Sequence, residues 1–320
     1  MSTAMPGEVI SIYGPSRSGK TALLNELIKA VVSNEYQNED EQHLALIEVD
    51  NSGGKASFSY KAFILELLEI IRHPVYSLHH EDQWSDASRD SRISRTTEAV
   101  LVRALIEAFK QRKTRFLIVD EAQDMKYAGK DSMAACGVMD ALKTVAKKAN
   151  VVLVLCGTYP MLQSINHSGH LENRKHDVHL RRYQLNDEDI EEFMWILANY
   201  AASLDLDDSL DGLQKCAELI YDSSFGCIGL VRALLYRASV LASLDNSKIK
   251  LSHIEKSMKS SNQLITVAKE ISEGEYLLGL KNSNHKAERE EDASDKAVKK
   301  TRKGKPFQRN PKRYPALNRG

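Results

Sequence analysis

The sequence has little with which to cross-link itself. Its four cysteines, Cys136, Cys156, Cys216 and Cys227, are scattered without a C-x-x-C pair. That spacing argues against a disulfide framework and a thiolate zinc site, and it fits free or buried thiols in a reducing compartment. The ten histidines form no H-x-x-x-H pattern and no Cys/His cluster. Neither His79–His80 nor His176 with His179 therefore reads as a metal site; solvated loop or strand histidines fit better. No stretch approaches the ~18 apolar residues of a membrane span. The opening residues, MSTAMPGEV, carry neither the basic region nor the apolar run of a secretory signal. A cytoplasmic chain without membrane contact is expected. Internal repeats are lacking too. What remains is 320 residues, 42% of them hydrophobic, enough for two domains with a sizeable core and a tail.

A zero net charge conceals an asymmetry. Lys296 to Gly320 holds ten Lys or Arg and no Asp or Glu, out of 44 basic and 44 acidic residues in all. The other 295 residues therefore carry 34 basic against 44 acidic groups, a formal net of −10. An acidic body with a basic tail suggests a polyanion or an acidic protein as the tail's partner.

The stretch from Glu8 to Val32, EVISIYGPSRSGKTALLNELIKAVV, organises the rest. Val9, Ile10, Ile12 and Tyr13 read as a buried strand, and Leu23, Leu24, Leu27, Ile28 and Val31 recur at helical spacing. Between them lies Gly14-Pro15-Ser16-Arg17-Ser18-Gly19-Lys20-Thr21, the G-x-x-x-x-G-K-[ST] pattern in the strand–loop–helix context it needs. Glycines let the backbone turn its N–H groups inward, and the positive end of the following helix adds to this anion site. Lys20 can reach the β- and γ-phosphates of a nucleoside triphosphate, and the Thr21 hydroxyl can hold Mg²⁺.

Further along, strands are expected at Leu44–Asp50, Arg115–Val119, Val151–Cys156 and Asp177–Leu185. Helices are expected over residues 58–72, 96–110 and 133–148, with a polar loop from His79 to Arg95. Strand–helix alternation predicts an α/β fold: a parallel sheet covered by helices on both faces. At Asn186, a candidate helix cap, the pattern becomes all-helical, with segments at about 209–221, 228–242 and 251–260. Past Leu280 apolar content collapses, and a disordered tail is expected. The domain reading is 1–185 for the core, 186–265 for a small helical domain and 266–320 for linker and basic tail.

FLIVDEAQDM, Phe116 to Met125, supplies the second half of the site. Four apolar residues drive the strand into the sheet and leave Asp120 at its carboxyl end, placed to act on Mg²⁺ through water. Glu121 is placed to polarise the attacking water as general base. At the end of the next strand, Thr158 in VLCGTYP can contact the γ-phosphate or position that water.

This order of motifs resembles the AAA+ P-loop ATPases. GPSRSGKT, FLIVDEAQD and VVLVLCGT together look most like the TnsC/TniB family of transposition regulators, relatives of MuB-type target-selection ATPases, over about residues 5–260. The resemblance implies a core, a helical lid and sites completed by a neighbouring subunit in a ring or helical filament. It implies an arginine finger, Arg174 in LENRKHDVHL, with Arg181 and Arg182 as rivals, and a lid sensor, Arg232 in the G-x-x-R-x-L of GLVRAL. It further implies ATP and Mg²⁺, ATP hydrolysis, and assembly on double-stranded DNA without sequence preference. Lys55, in the NSGGK loop, stands where the family places a DNA-contacting basic residue, and Arg89, Arg92 and Arg95 form a second basic loop. Transposase and a target-selection protein are the implied partners. The tail, with Phe307 and Tyr314 among its basic residues, is expected to clamp DNA or dock on a transposition subunit. A STAND-like signalling ATPase, an ExeA-like secretion ATPase and a binding scaffold that holds ATP without turning it over are the rival readings.

Overall fold

The computed structural model describes residues 5–33, 40–49, 58–77, 93–128, 132–166, 175–210 and 212–280. Strands β1 (Val9–Tyr13), β2 (Leu44–Glu48), β3 (Phe116–Asp120), β4 (Val152–Gly157) and β5 (Lys175–His179) form one sheet, ordered β2-β3-β4-β1-β5. Every pairing is parallel. The unbroken apolar runs VISIY, FLIV and VLVLC are buried on both faces, as central parallel strands require. At the edge, β2 alternates between buried and more exposed residues.

Helices cover both faces. Leu24 of α1 (Lys20–Ser33) joins Ile10, Ile12, Ile118 and Val154 in one cluster. Leu117, Val119, Leu153 and Leu155 point the other way along the same strands and are equally buried. Next come α2 (Tyr60–Ile70), α3 (Glu98–Gln111), α4 (Ser132–Ala149) and α5 (Pro160–Asn166), with α2 packed on α3, α3 on α4, and α4 on both β4 and α5. The α/β expectation holds.

From Asn186 the chain is helical: α6 (Asp187–Ser203), α7 (Ala217–Ser224), α8 (Ile228–Leu244), α9 (Leu251–Lys256) and α10 (Ser261–Leu277). Asn186 caps α6 as its position predicts, its side-chain oxygen accepting the Asp189 N–H at 2.9 Å. Phe193, Leu197, Ile220, Val231, Leu234 and Leu235 form a core belonging to these helices. Residues 1–270 make one compact unit, which holds the sheet and this helical segment, and 271–320 make a second. Of the second unit, residues 271–280 are described; they include the end of α10. Among the described residues no single helix is long and apolar enough to cross a membrane.

Three expectations need correction. The last strand spans Lys175–His179 rather than Asp177–Leu185, because the backbone beyond Leu180 turns to the helices: the Tyr183 N–H donates to Gly226 O at 3.0 Å. The helix expected at 209–221 is two short 3-10 turns followed by α7, broken near Gly212, whose φ of 93° lies in the left-handed region. Helix α10 has no counterpart in the sequence reading, since most of its first three turns is exposed and lacks a strong apolar stripe.

Candidate functional site

Parallel pairing brings three strand ends to one edge of the sheet. Tyr13 of β1 lies beside Gly157 of β4, and Val119 of β3 beside Leu155 of β4. The loop after β1, the Asp120-Glu121 pair after β3 and Thr158 after β4 therefore emerge together, although about a hundred residues separate the first from the second. Ligand sites in open parallel sheets lie at such carboxyl ends. Here a cavity of about 910 Å³ is lined by residues that include Ser16, Arg17, Gly19, Lys20, Thr21, Glu121, Thr158 and, from α8, Arg232.

The loop is built to hold something. Gly19 sits at φ 100°, a conformation that L side chains rarely adopt. The Ser18 hydroxyl is buried and has no hydrogen-bond partner among the described residues, so the loop carries an orphaned polar group of the kind that a ligand or water satisfies. Lys20, only 7% exposed, folds back to donate to Pro15 O at 2.8 Å and Gly14 O at 3.3 Å. Burial holds its ammonium below the ordinary lysine range, against the pull of nearby acidic groups including Glu121, Glu270 and Asp120. A buried cation amid loop carbonyls and carboxylates is poised for an anion.

On the facing side, Asp120 accepts the Glu121 N–H at 2.9 Å and is not itself among the residues that line the cavity. Cys156 also hydrogen-bonds Asp120; burial pushes that thiol far above its usual range, so it stays a neutral donor. Glu121 has a φ of 52°, left-handed for a non-glycine residue. That turn carries the chain from β3 into the 3-10 helix Ala122–Ala128 and aims the carboxylate into the cavity. Such strained backbone, costing about 1–3 kcal/mol, concentrates at functional sites.

Sequence reasoning missed Gln123, although it lies within the DEAQ run. Its side-chain oxygen accepts the Thr158 N–H at 2.9 Å, while its amide nitrogen donates to Glu121 Oε2. One side chain thus ties the β3 carboxylate to the tip of β4. Gly157 makes room for it, since a Cβ there would come within 2.5 Å of Gln123 Oε1. The reading also missed how the helical segment reaches the loop. At the start of α8, the Gly229 N–H donates to Arg17 O at 2.8 Å, and a Cβ on Gly229 would stand 2.4 Å from that oxygen. Arg232 lies one turn further along the same helix and Tyr236 another, both lining the cavity.

The family of the core can now be stated. A family pattern described as AAA domain matches residues 4–165, just over half of the chain. The chain belongs to the AAA domain family. No curated protein matches this chain. Among solved structures it resembles the Walker-type ATPase PABY2304 of Pyrococcus abyssi, with 14% identity, 87% of this chain and 72% of that one covered, and a TM-score of 0.50. It also resembles the Aeropyrum pernix ORC2 protein, solved as ADPNP-ADP complexes, with 17% identity, coverage of 90% and 74%, and a TM-score of 0.50. At such identities the likeness is one of fold, a P-loop AAA+ fold.

The remaining candidate residues are distributed differently. Arg181 is engaged in a two-point ion pair with Asp189, its Nη2 2.7 Å from Oδ1 and its Nη1 on Oδ2. The Asp189 carboxylate is 1% exposed and also accepts the Gln184 N–H at 2.7 Å. Hydrogen bonding to Arg181 holds its carboxyl below the usual aspartate range. Arg181 thus braces the start of α6. Arg182 donates towards Tyr221 Oη and Phe225 O at 3.4 and 3.5 Å. Arg174, Lys55, Arg89 and Arg92 lie outside the described residues. Arg95 is described and exposed, in a short turn before α3. Among the described residues no three His, Cys, Asp or Glu side chains converge on a metal position.

Proposed function

We propose that this AAA domain protein is an ATP hydrolase of the TnsC/TniB type, a switch that assembles on double-stranded DNA when MgATP fills a seam between copies. One observation carries the nucleotide reading. The phosphate loop, Glu121, Thr158 and Arg232 come from four separate stretches and line a single cavity of about 910 Å³, the size of a ligand site. The loop amides and Lys20 take the phosphates. Thr21 and, through water, Asp120 would hold Mg²⁺, whose positive charge would offset the negative charge of the phosphates. Glu121 orients and deprotonates the attacking water, and Thr158 contacts the terminal phosphate. Arg232 acts as a sensor from the lid, residues 186–265. Arg174 of a neighbouring copy is the arginine finger; Arg181, held by Asp189, is the weaker rival, and Arg182 the other.

The transposition reading rests on the resemblance of LIVDEAQ followed by VLVLCGT. In it, copies form a ring or filament on duplex DNA through Lys55, Arg89, Arg92 and Arg95. The assembly marks the target and recruits transposase with a target-selection protein, and hydrolysis takes it apart. Sedimentation and electron microscopy of the full chain with MgATP and random-sequence duplex test this. Wild type should assemble only with nucleotide, and Lys20→Ala should lose nucleotide binding and assembly together. Glu121→Gln should assemble and persist, with turnover reduced about 100-fold or more. A wild-type protein that stays a single subunit at saturating nucleotide and DNA overturns the switch.

A further inference from the structure

The phosphate loop has an anion on it already, and the chain supplies it. Glu270, on the third turn of α10, accepts two hydrogen bonds on one carboxylate oxygen, from the Ser16 N–H at 2.9 Å and the Ser16 hydroxyl at 2.7 Å. Ser16 is the third residue of the loop, and 254 positions separate the two partners. Glu270 lines the same cavity as Lys20, Thr21 and Glu121, and its charge is among those acting on the Lys20 ammonium. A backbone N–H of this loop and a hydroxyl beside it are the donors that phosphate oxygens seek. A carboxylate and a polyphosphate in one partly enclosed cavity repel each other, so both cannot hold the loop at full strength.

We propose that Glu270 is a built-in competitor for the phosphate loop, an affinity-setting latch that nucleotide must displace from Ser16. This rests on the reading of the loop as a nucleotide site. The latch lowers apparent affinity in proportion to the fraction of molecules in which it is closed. It also makes nucleotide binding release the Glu270 turn of α10. The latch explains why α10, a helix with few buried residues in its first three turns, sends a charged side chain into the cavity.

The test titrates the full chain with fluorescent mant-ADP and mant-ATP in the presence of Mg²⁺, comparing wild type with Glu270→Gln and Glu270→Ala. Both variants should bind about tenfold more tightly, the effect of opening a latch that is closed about nine times in ten. Amide exchange gives a second readout. Residues 261–270 should exchange faster in wild type once nucleotide is added, and be fast already in free Glu270→Ala. Unchanged or weaker binding by both variants, with melting curves like wild type, overturns the latch and leaves the nucleotide reading standing. Failure of wild type and both variants to bind either probe overturns the two together.

Discussion

Gln123 shows how much a single side chain can set. Catalysis by a general base depends on holding the base and the reacting groups in register, and misplacement by about 1 Å can cost on the order of 100-fold. Gln123 joins Glu121 to the backbone N–H of Thr158, so it fixes the spacing between the Glu121 carboxylate, the proposed general base, and the residue opposite it. Gln123→Ala should lower ATP turnover by about 10–100-fold while nucleotide affinity stays within about twofold. Gln123→Glu should be at least as damaging. It keeps an acceptor for the Thr158 N–H but sets carboxylate against carboxylate at Glu121. A matched kinetic and binding titration checks both; a parallel loss of affinity would assign Gln123 to binding instead. The sequence shows this residue within DEAQ, yet nothing local says that its amide spans two strands.

At the scale of the element, the decisive contact is that of α8 with the loop. The cavity wall made by Arg232 and Tyr236 depends on how closely α8 approaches. That approach is possible because residue 229 has no Cβ. Gly229→Ala should force the loop and α8 apart and lose the Gly229 N–H bond to Arg17 O. The expected cost is about 1–3 kcal/mol of stability, with nucleotide affinity falling several-fold. Gly137→Ala in α4 is the control: its Cβ would meet nothing within 4 Å, so the change should be neutral or stabilising by up to ~1 kcal/mol. Denaturant melts of the two variants, with nucleotide titrations alongside, separate close packing from a general intolerance of added methyls.

For the whole molecule, charge is the organising variable. A body of net −10 is poorly suited to a polyanion unless basic groups are gathered locally, and the ten basic residues from Lys296 onward are the largest such gathering. Deleting residues 296–320 should leave ATP turnover and assembly on duplex DNA within about twofold while removing transposase recruitment. Loss of duplex binding, with a salt-dependence slope that flattens by about 0.9 per lost phosphate contact, would assign the tail to DNA instead. Turnover, sedimentation and a transposase pull-down measured on one preparation distinguish the two.

Local pattern alone determined the strand–loop–helix at Gly14–Thr21, the apolar strands ending in Asp120-Glu121 and Thr158, and the Asn186 cap. These are written in glycine spacing, unbroken apolar runs and capping chemistry, which act between near neighbours in the chain. Only the tertiary structure decided that the three strand ends share one edge, since strand order and register follow from crossovers and packing. It also decided that Arg181 is spoken for by a buried aspartate, that Gly229 touches the loop, and that Glu270 reaches Ser16 from 254 residues away. A carboxylate on an exposed-looking helix carries no mark of what it will meet; folding alone brings it to the donors that hold it.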